Sequence, residues 1–167
     1  MTNGTRIRVA LDSDRYGIAG LVETAFGRPD EARLVEALAA DGDVVVELVA
    51  ERDATIVGHV LFSPLIIETS NRSSSAVALA PLSVAPAFQR QGIGAALVED
   101  AHRRLRLAGE TFSVVLGDPD YYGRFGYAHD LASGFESEWQ CEALQALAWG
   151  DAPAKGKLVY ASAFSAI

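Results

Sequence analysis

Cysteine is almost absent: Cys141 is the single one in 167 residues. A lone thiol excludes an internal disulfide and any metal site built from several thiolates. It acts as a nucleophile only beside a positioned base, and its plain reading is a small inert hydrophobe. Long apolar runs are missing as well. No stretch reaches the ~18 residues that a membrane span requires. The opening MTNGTRIRVALDSD has no basic segment followed by a long apolar one, so no secretory leader is read and a cytoplasmic protein is expected. Positive charge is scarce. The 14 Lys and Arg face 22 Asp and Glu, for a net charge of −8. That balance argues against nonspecific nucleic-acid binding, which rests on neutralising phosphates with cations. It suits either plain solubility or long-range steering of a cationic amine.

What is present is a core. Half of the residues are hydrophobic and 22% are charged, a composition that folds. The length predicts one domain over 1–167, and no repeat or linker divides it. Ile7 to Leu11 alternate as a short strand. Asp12 or Ser13 is placed to cap a helix carrying Ile18, Leu21, Val22 and Ala25, which Gly27-Arg28-Pro29 breaks. Asp30 is placed to cap a second helix, with Leu34, Val35 and Leu38 on one face, ending at Asp41-Gly42-Asp43. Val44 to Glu51 and Thr55 to Glu68 read as an antiparallel hairpin, the second strand bent at Gly58 and Pro64. Thr69 to Ser75 reads as an exposed loop.

Ala76 to Val84 is predominantly apolar, as expected of a central strand buried on both faces, and Pro86 ends it. A helix over about Gly92 to Ala108 carries Ile93, Ala96, Leu97, Ala101, Leu105 and Ala108 on one face. Its other face carries the acid-first pairs Glu99–Arg103 and Asp100–Arg104, so Arg103, Arg104 and Arg106 read as a solvated surface. Gly109 closes the helix. Phe112 to Leu116 is a buried strand, and strand, helix, strand implies a right-handed crossover with a parallel pair. Leu144 to Trp149 fits helix or strand. Leu158 to Phe164 fits a strand.

Between the central strand and the long helix lies Gln89-Arg90-Gln91-Gly92-Ile93-Gly94. A helix N-terminus offers unpaired N–H groups and the positive end of a dipole, and anions bind there. Gly92 and Gly94 let a ligand approach the backbone, and Gln89 and Arg90 can add side-chain contacts. The P-loop pattern G-x-x-x-x-G-K-[ST] is absent, as is the dinucleotide pattern G-x-G-x-x-G. From the residues alone two readings stay open: a phosphate site, or a turn that needs small residues for packing.

The turn follows Leu82-x-Val84-x-Pro86, and Gln89-x-x-Gly92-x-Gly94 after such a strand closely resembles the acyl-CoA signature of the GNAT superfamily of N-acetyltransferases. A second block, Val115-Leu116-Gly117-Asp118-Pro119 through Tyr121-Tyr122-x-Arg124-Phe125-Gly126-Tyr127, is similar to the superfamily's later block. It has the form found in its YhbS-like subgroup of predicted bacterial acetyltransferases. The match is strong over the middle third and topological over the N-terminal half. The resemblance implies an α/β (α+β) GNAT fold. That is a mixed, mostly antiparallel sheet of six to seven strands, splayed between strands 4 and 5 and flanked by about four helices.

The resemblance further implies acetyl-CoA as co-substrate, with no metal. Backbone groups of Leu82, Ser83 and Val84 would pair with the pantetheine arm and thioester. Gln89 and the backbone of Arg90, Gln91, Gly92, Ile93, Gly94 and Ala95 would hold the pyrophosphate. Tyr122 falls where the superfamily often has the acid that protonates the leaving thiolate, a task a phenol can perform within reach of the sulfur. Tyr121 is its neighbour and rival, and Tyr127 is expected to pack. The acceptor would be a small-molecule or peptide amine, and a homodimer is possible by analogy. Candidate bases are Glu51, His59, Glu68 and Asp118, or a water chain. His59 has the most suitable reference pKa but sits in an apolar strand. His102 and His129 read as solvated. Trp139 and Trp149 read as substrate wall or core. Two rival functions remain: an acyl-CoA-binding module without catalysis, and a nucleotide-binding domain.

Overall fold

The computed structural model describes residues 4–166; Met1 to Asn3 and Ile167, included in the expected domain, lie outside them. The first strand, β1 (Thr5–Val9), leads through a 3-10 turn (Asp12–Asp14) into α1 (Arg15–Phe26) and α2 (Asp30–Asp41). The hairpin β2 (Val46–Arg52) and β3 (Thr55–Glu68) follows, then β4 (Ser73–Val84), α3 (Ile93–Leu107) and β5 (Phe112–Leu116). The remainder is α4 (Pro119–Tyr122), β6 (Phe135–Glu136), β7 (Leu144–Ala148), β8 (Gly156–Tyr160) and a closing 3-10 turn, Ser162–Ala166. The sheet has eight strands, with order β1-β2-β3-β4-β5-β7 and β8 paired to both β3 and β6. The resemblance implied six or seven, and the count of eight includes β6, which is only two residues long.

Helices cover both faces. Ile93, Leu97, Ala101 and Leu105 of α3 pack on Leu48, Val60, Phe62 and Leu79. Ile18, Val22, Leu34, Val35 and Leu38 of α1 and α2 pack on Val49 and Leu61 of the other face. This division follows from the alternation of side chains along β2 and β3. Gly58 lets α3 lie close to the sheet: a Cβ there would stand 2.9 Å from Leu97 Cδ1 and 3.0 Å from Ile93 Cγ2. The hairpin turns on Asp53 and Ala54, at φ 51° and 62°, the positive values that a two-residue loop requires.

The feature that positions the site is the parallel pair. β4 and β5 pair only at Val77–Ser113, Ala78–Val114 and Leu79–Val115. Beyond Leu79, β4 continues along β3 through Leu82–Val60, Ser83–His59 and Val84–Gly58, while β5 continues along β7 to Leu116–Leu144. The sheet therefore opens between β4 and β5, as expected. The ladder to β3 skips from Leu79–Phe62 to Leu82–Val60. Ala80 and Pro81 form a bulge there, in keeping with a proline that cannot donate to the ladder.

Several local expectations are corrected. Neither Asp12 nor Ser13 caps α1. The Asp14 carboxylate instead accepts from Leu11 N–H at 2.7 Å and pairs with Arg8 at 2.7 Å. Asp30 lies inside the first turn of α2, with Pro29 at its cap. Ser73 to Ser75 belong to β4, paired with Glu68, Ile67 and Ile66. Polarity there marks the exposed end of a strand, not a loop. Leu144 to Ala148 is a strand, and β8 ends at Tyr160 before the last 3-10 turn. Asp100 takes both Arg103 and Arg104, in place of separate pairs. Among the described residues no helix is long and apolar enough to cross a membrane.

Candidate active site

Arg90 and Gly92 both adopt positive φ, 64° and 84°, and Gly92 caps α3 in the left-handed conformation. The turn is tied to the strand before it, because Gln89 Nε2 donates to Val84 O at 3.0 Å. A groove of about 660 Å³ is floored by Leu82 and Val84 and walled by Gln89, Arg90 and the run Gly92 to Ala95. Ser83 does not line it. Side chains alternate across the sheet, and that of Ser83 is buried on the other face, opposite His59. Gln91 is exposed and turned toward Arg52, 3.4 Å away. The opposite wall holds Tyr121 and Arg124. The Tyr121 hydroxyl sits over Gly94, where a Cβ would be only 2.5 Å from it. Arg124 stacks on the Tyr121 ring at 4.5 Å, a cation–π contact. A guanidinium on each side, plus the helix N-terminus, makes the groove suited to an anion.

A second cavity, of about 560 Å³, lies on the far side of the opening. Ala78 to Leu82 of β4 and Val114 to Asp118 at the end of β5 form its near wall. Phe26, Leu34, Trp139, Tyr160 and Phe164 form its far wall, with Arg28, Asp30 and Glu31 at the rim. Leu82 and Asp118 line both cavities, so the two meet at the splay.

Tyr122 lines the second cavity and Tyr121 the first; the neighbouring phenols are divided between them. This follows from α4. Asp118 Oδ1 accepts from Asp120 N–H at 3.0 Å, a short cap with Pro119 in the first helical position, and successive residues of a helix then point about 100° apart, which divides the two rings. The Tyr122 ring rests on the backbone of Gly117, where a Cβ would meet its Cε2 at 2.5 Å. Burial, and secondarily the neighbouring Tyr121, pushes the Tyr122 phenol well up, so it stays protonated at working pH. Tyr127 packs as expected: it is 3% exposed, and its hydroxyl is 2.7 Å from Ser113 Oγ.

Of the four candidate bases only Asp118 lines the cavity. Glu51 is held by Arg6 at 3.0 Å and Arg8 at 3.3 Å on the β1–β2 edge. Glu68 is exposed at the distant end of β3. His59 is 0% exposed, with Nε2 2.7 Å from Glu47 Oε2, and faces α1. Trp139 lines the cavity, whereas the half-buried Trp149 packs against the core, 5.0 Å from His102. Cys141 is exposed and so not a packed hydrophobe. Among the described residues no three His, Cys, Asp or Glu converge as a metal site.

The solvated reading of His129 and His102 is overturned. His129 is half-buried, with Nδ1 donating to Leu144 O at 2.8 Å. His102 is 8% exposed and sits among Phe62, Phe125, Tyr127 and Trp149, with Nε2 3.0 Å from the Tyr127 hydroxyl. Burial, then the charge of Arg106, lowers its pKa from 6.5 to about 4. The unfolded chain therefore binds this proton first. The stabilisation is complete above pH 6.5 and is lost as pH falls toward 4, by roughly 3 kcal/mol in total. Urea unfolding at pH 7.5 and 4.5 tests this. His102→Phe should lose about 2–3 kcal/mol less than the native protein over that interval; equal losses would exclude His102 as the cause.

Taken together, these cavities describe an α/β domain in which an extended anionic ligand can lie across an opened sheet. The comparisons with known proteins agree. A model described as an acetyltransferase (GNAT) domain matches residues 6–129. The chain is 36% identical over 146 residues to the uncharacterised N-acetyltransferase YhbS of Escherichia coli (strain K12), covering 83% of this chain and 86% of that one. The chain belongs to the GNAT family of acetyltransferases. Its fold matches that of E. coli YhbS crystallised with CoA, at TM-score 0.88 and 30% identity, over 96% of this chain and 92% of that one. It also matches a GNAT family acetyltransferase from Brucella melitensis in complex with acetyl-CoA, at TM-score 0.81 and 33% identity, over 96% and 97%.

Proposed function

We propose that the protein moves an acetyl group from acetyl-CoA directly to a primary amine, with Tyr122 as general acid. The observation that carries this reading is the meeting of an anion-suited groove and a second cavity at Leu82 and Asp118, with Tyr122 beside the junction. The CoA and acetyl-CoA complexes of the two related structures support it. The pyrophosphate lies on the N–H groups of Arg90 to Ala95, between Arg90 and Arg124, and the pantetheine arm follows β4 past Val84 to Leu82. The acceptor enters from the second cavity.

In the reaction the ammonium first loses a proton, to Asp118 or through water. The amine nitrogen then bonds to the acetyl carbon, and the C–S bond breaks. The tetrahedral oxyanion is held by backbone N–H groups of β4. The thiolate takes its proton from the Tyr122 hydroxyl, and the extra proton on the attacking nitrogen leaves as the amide forms and returns through water to the Tyr122 phenolate, so the site ends as it began. Polarised donors and positioning do most of this work, so a modest acid and a distant base suffice. The finer reading is of a single cytoplasmic domain that can pair as a homodimer.

The test is thiol release from acetyl-CoA across a panel of primary amines, with calorimetry for CoA. The expected result is micromolar-range CoA binding and amine-dependent thiol release. CoA binding without release above hydrolysis would favour a regulatory module. Tighter binding of ATP than of CoA would favour a nucleotide-binding domain and overturn the proposal.

A further inference from the structure

We infer that the acceptor is a primary amine carried on an aromatic body, of the size of 2-phenylethylamine or tryptamine. The inference rests on the proposed acetyl transfer and adds the substrate class. Its basis is the unequal chemistry of the two ends of the second cavity. The end nearest the splay holds Asp118 and Tyr122, where an amine would meet the thioester. The opposite end is a cluster of rings contributed by separate segments. Trp139 and Tyr160 stand edge to face at 4.7 Å, and Phe164 lies 5.3 Å from Tyr160 and 5.9 Å from Trp139. Trp139 and Tyr160 are only half-buried, and the surface they leave open is part of the cavity wall. Phe26, on the same wall, is 41% exposed.

An aromatic guest gains both apolar burial and edge-to-face contact against such a wall. A polyamine or amino sugar places further cations or hydroxyls there and finds few partners. Glu31 is already engaged, since Arg28 Nε donates to its Oε1 at 3.0 Å, and Leu34 completes the apolar side. Polar groups buried without partners are costly. The rim supplies the complementary charge. Asp30 and Glu31 share the single Arg28, which lies 3.9 Å from Asp30 and bonds Glu31, so the entrance is net anionic and favours an incoming ammonium. The volume of about 560 Å³ accommodates a small ligand of this kind.

Two measurements test the inference. The first compares kcat/KM for 2-phenylethylamine and tryptamine with n-propylamine, spermidine, glucosamine and a lysine peptide. The arylalkylamines should exceed the others by about 10- to 100-fold, the range that apolar pocket contacts supply. Trp139→Ala should collapse that ratio by raising KM for the aromatic amines, with CoA affinity unchanged. The second needs no turnover. 2-Phenylethylamine should quench tryptophan fluorescence saturably in the CoA complex, and Trp139→Phe should abolish the quench, because Trp149 is not part of the cavity lining. Equal or better use of spermidine, glucosamine or the peptide overturns the inference while leaving acetyl transfer standing. Saturable quenching without thiol release leaves the binding class standing and overturns transfer. Absence of both overturns the inference.

Discussion

Tyr122→Phe is expected to lower kcat about 100-fold while leaving the Kd for CoA within about twofold, the low end of what a positioned acid contributes. The substitution deletes one oxygen and keeps the ring. The contact with Gly117 survives, as do the edge-to-face packing on Tyr121 at 5.0 Å and on Tyr127 at 6.0 Å. The groove proposed for the phosphates contains Tyr121 and not Tyr122, so cofactor affinity has no reason to change. Water can reprotonate a thiolate in part, which limits the loss. The upward shift of the phenol from burial adds a second signature: no limb of the pH–rate profile between pH 6 and 9 should belong to it. Steady-state thiol release and calorimetry read both quantities. An unchanged kcat would remove Tyr122 from the acid role. Tyr121→Phe is the informative contrast. Its hydroxyl sits over Gly94, so a loss there should appear as weaker binding of acetyl-CoA.

Glu47→Ala should cost about 3 kcal/mol of folding stability, because it strands the fully buried His59 and the part-exposed Arg15. Glu47 Oε2 is 2.7 Å from His59 Nε2, and its other oxygen accepts from Arg15. The three side chains link α1 to β2 and β3 on the face opposite α3. Burial by itself would push the Glu47 carboxyl up, but the bonds from His59 and Arg15 outweigh it and hold its pKa below the usual carboxylate range. A depressed acid contributes stability above its unfolded pKa and loses it as pH falls through the folded one. The pair should thus matter fully at neutral pH. Glu47→Gln keeps an acceptor and should cost clearly less. Denaturant unfolding at pH 7 separates the two variants. A loss under about 1 kcal/mol for Glu47→Ala would mean that the buried network is dispensable.

His59 was the attractive base by reference pKa, and its engagement with Glu47 could not be read from its own strand. The period of a strand tells which face a residue takes, not what stands across it. The same limit hid His102. Its helix neighbours Glu99, Arg103 and Arg106 are polar, yet Phe62, Tyr127 and Trp149 close over it from three other elements. By contrast, β3 was legible residue for residue from Thr55 to Glu68, since most of it is buried and its apolar residues extend on both sides of Gly58 and Pro64. The turn at Gln89 to Gly94 and the tyrosine pair were legible because each is a contiguous motif. The far wall of the second cavity was not, because Phe26, Trp139, Tyr160 and Phe164 share no spacing and are brought together only by the sheet.

The pairing of β8 with β3 joins Lys157 to Glu68 and Tyr160 to Leu65, a separation of roughly ninety residues, and pairings this distant in sequence form late. The hairpin, β4, α3 and β5 can be assembled from one continuous stretch during synthesis, whereas Tyr160 and Phe164 follow all of them in the chain. A nascent protein would therefore complete the anion-suited groove before it completed the second cavity. A chain stalled shortly before Gly156 would have the proposed donor groove but lack Tyr160 and Phe164 on the cavity's far wall.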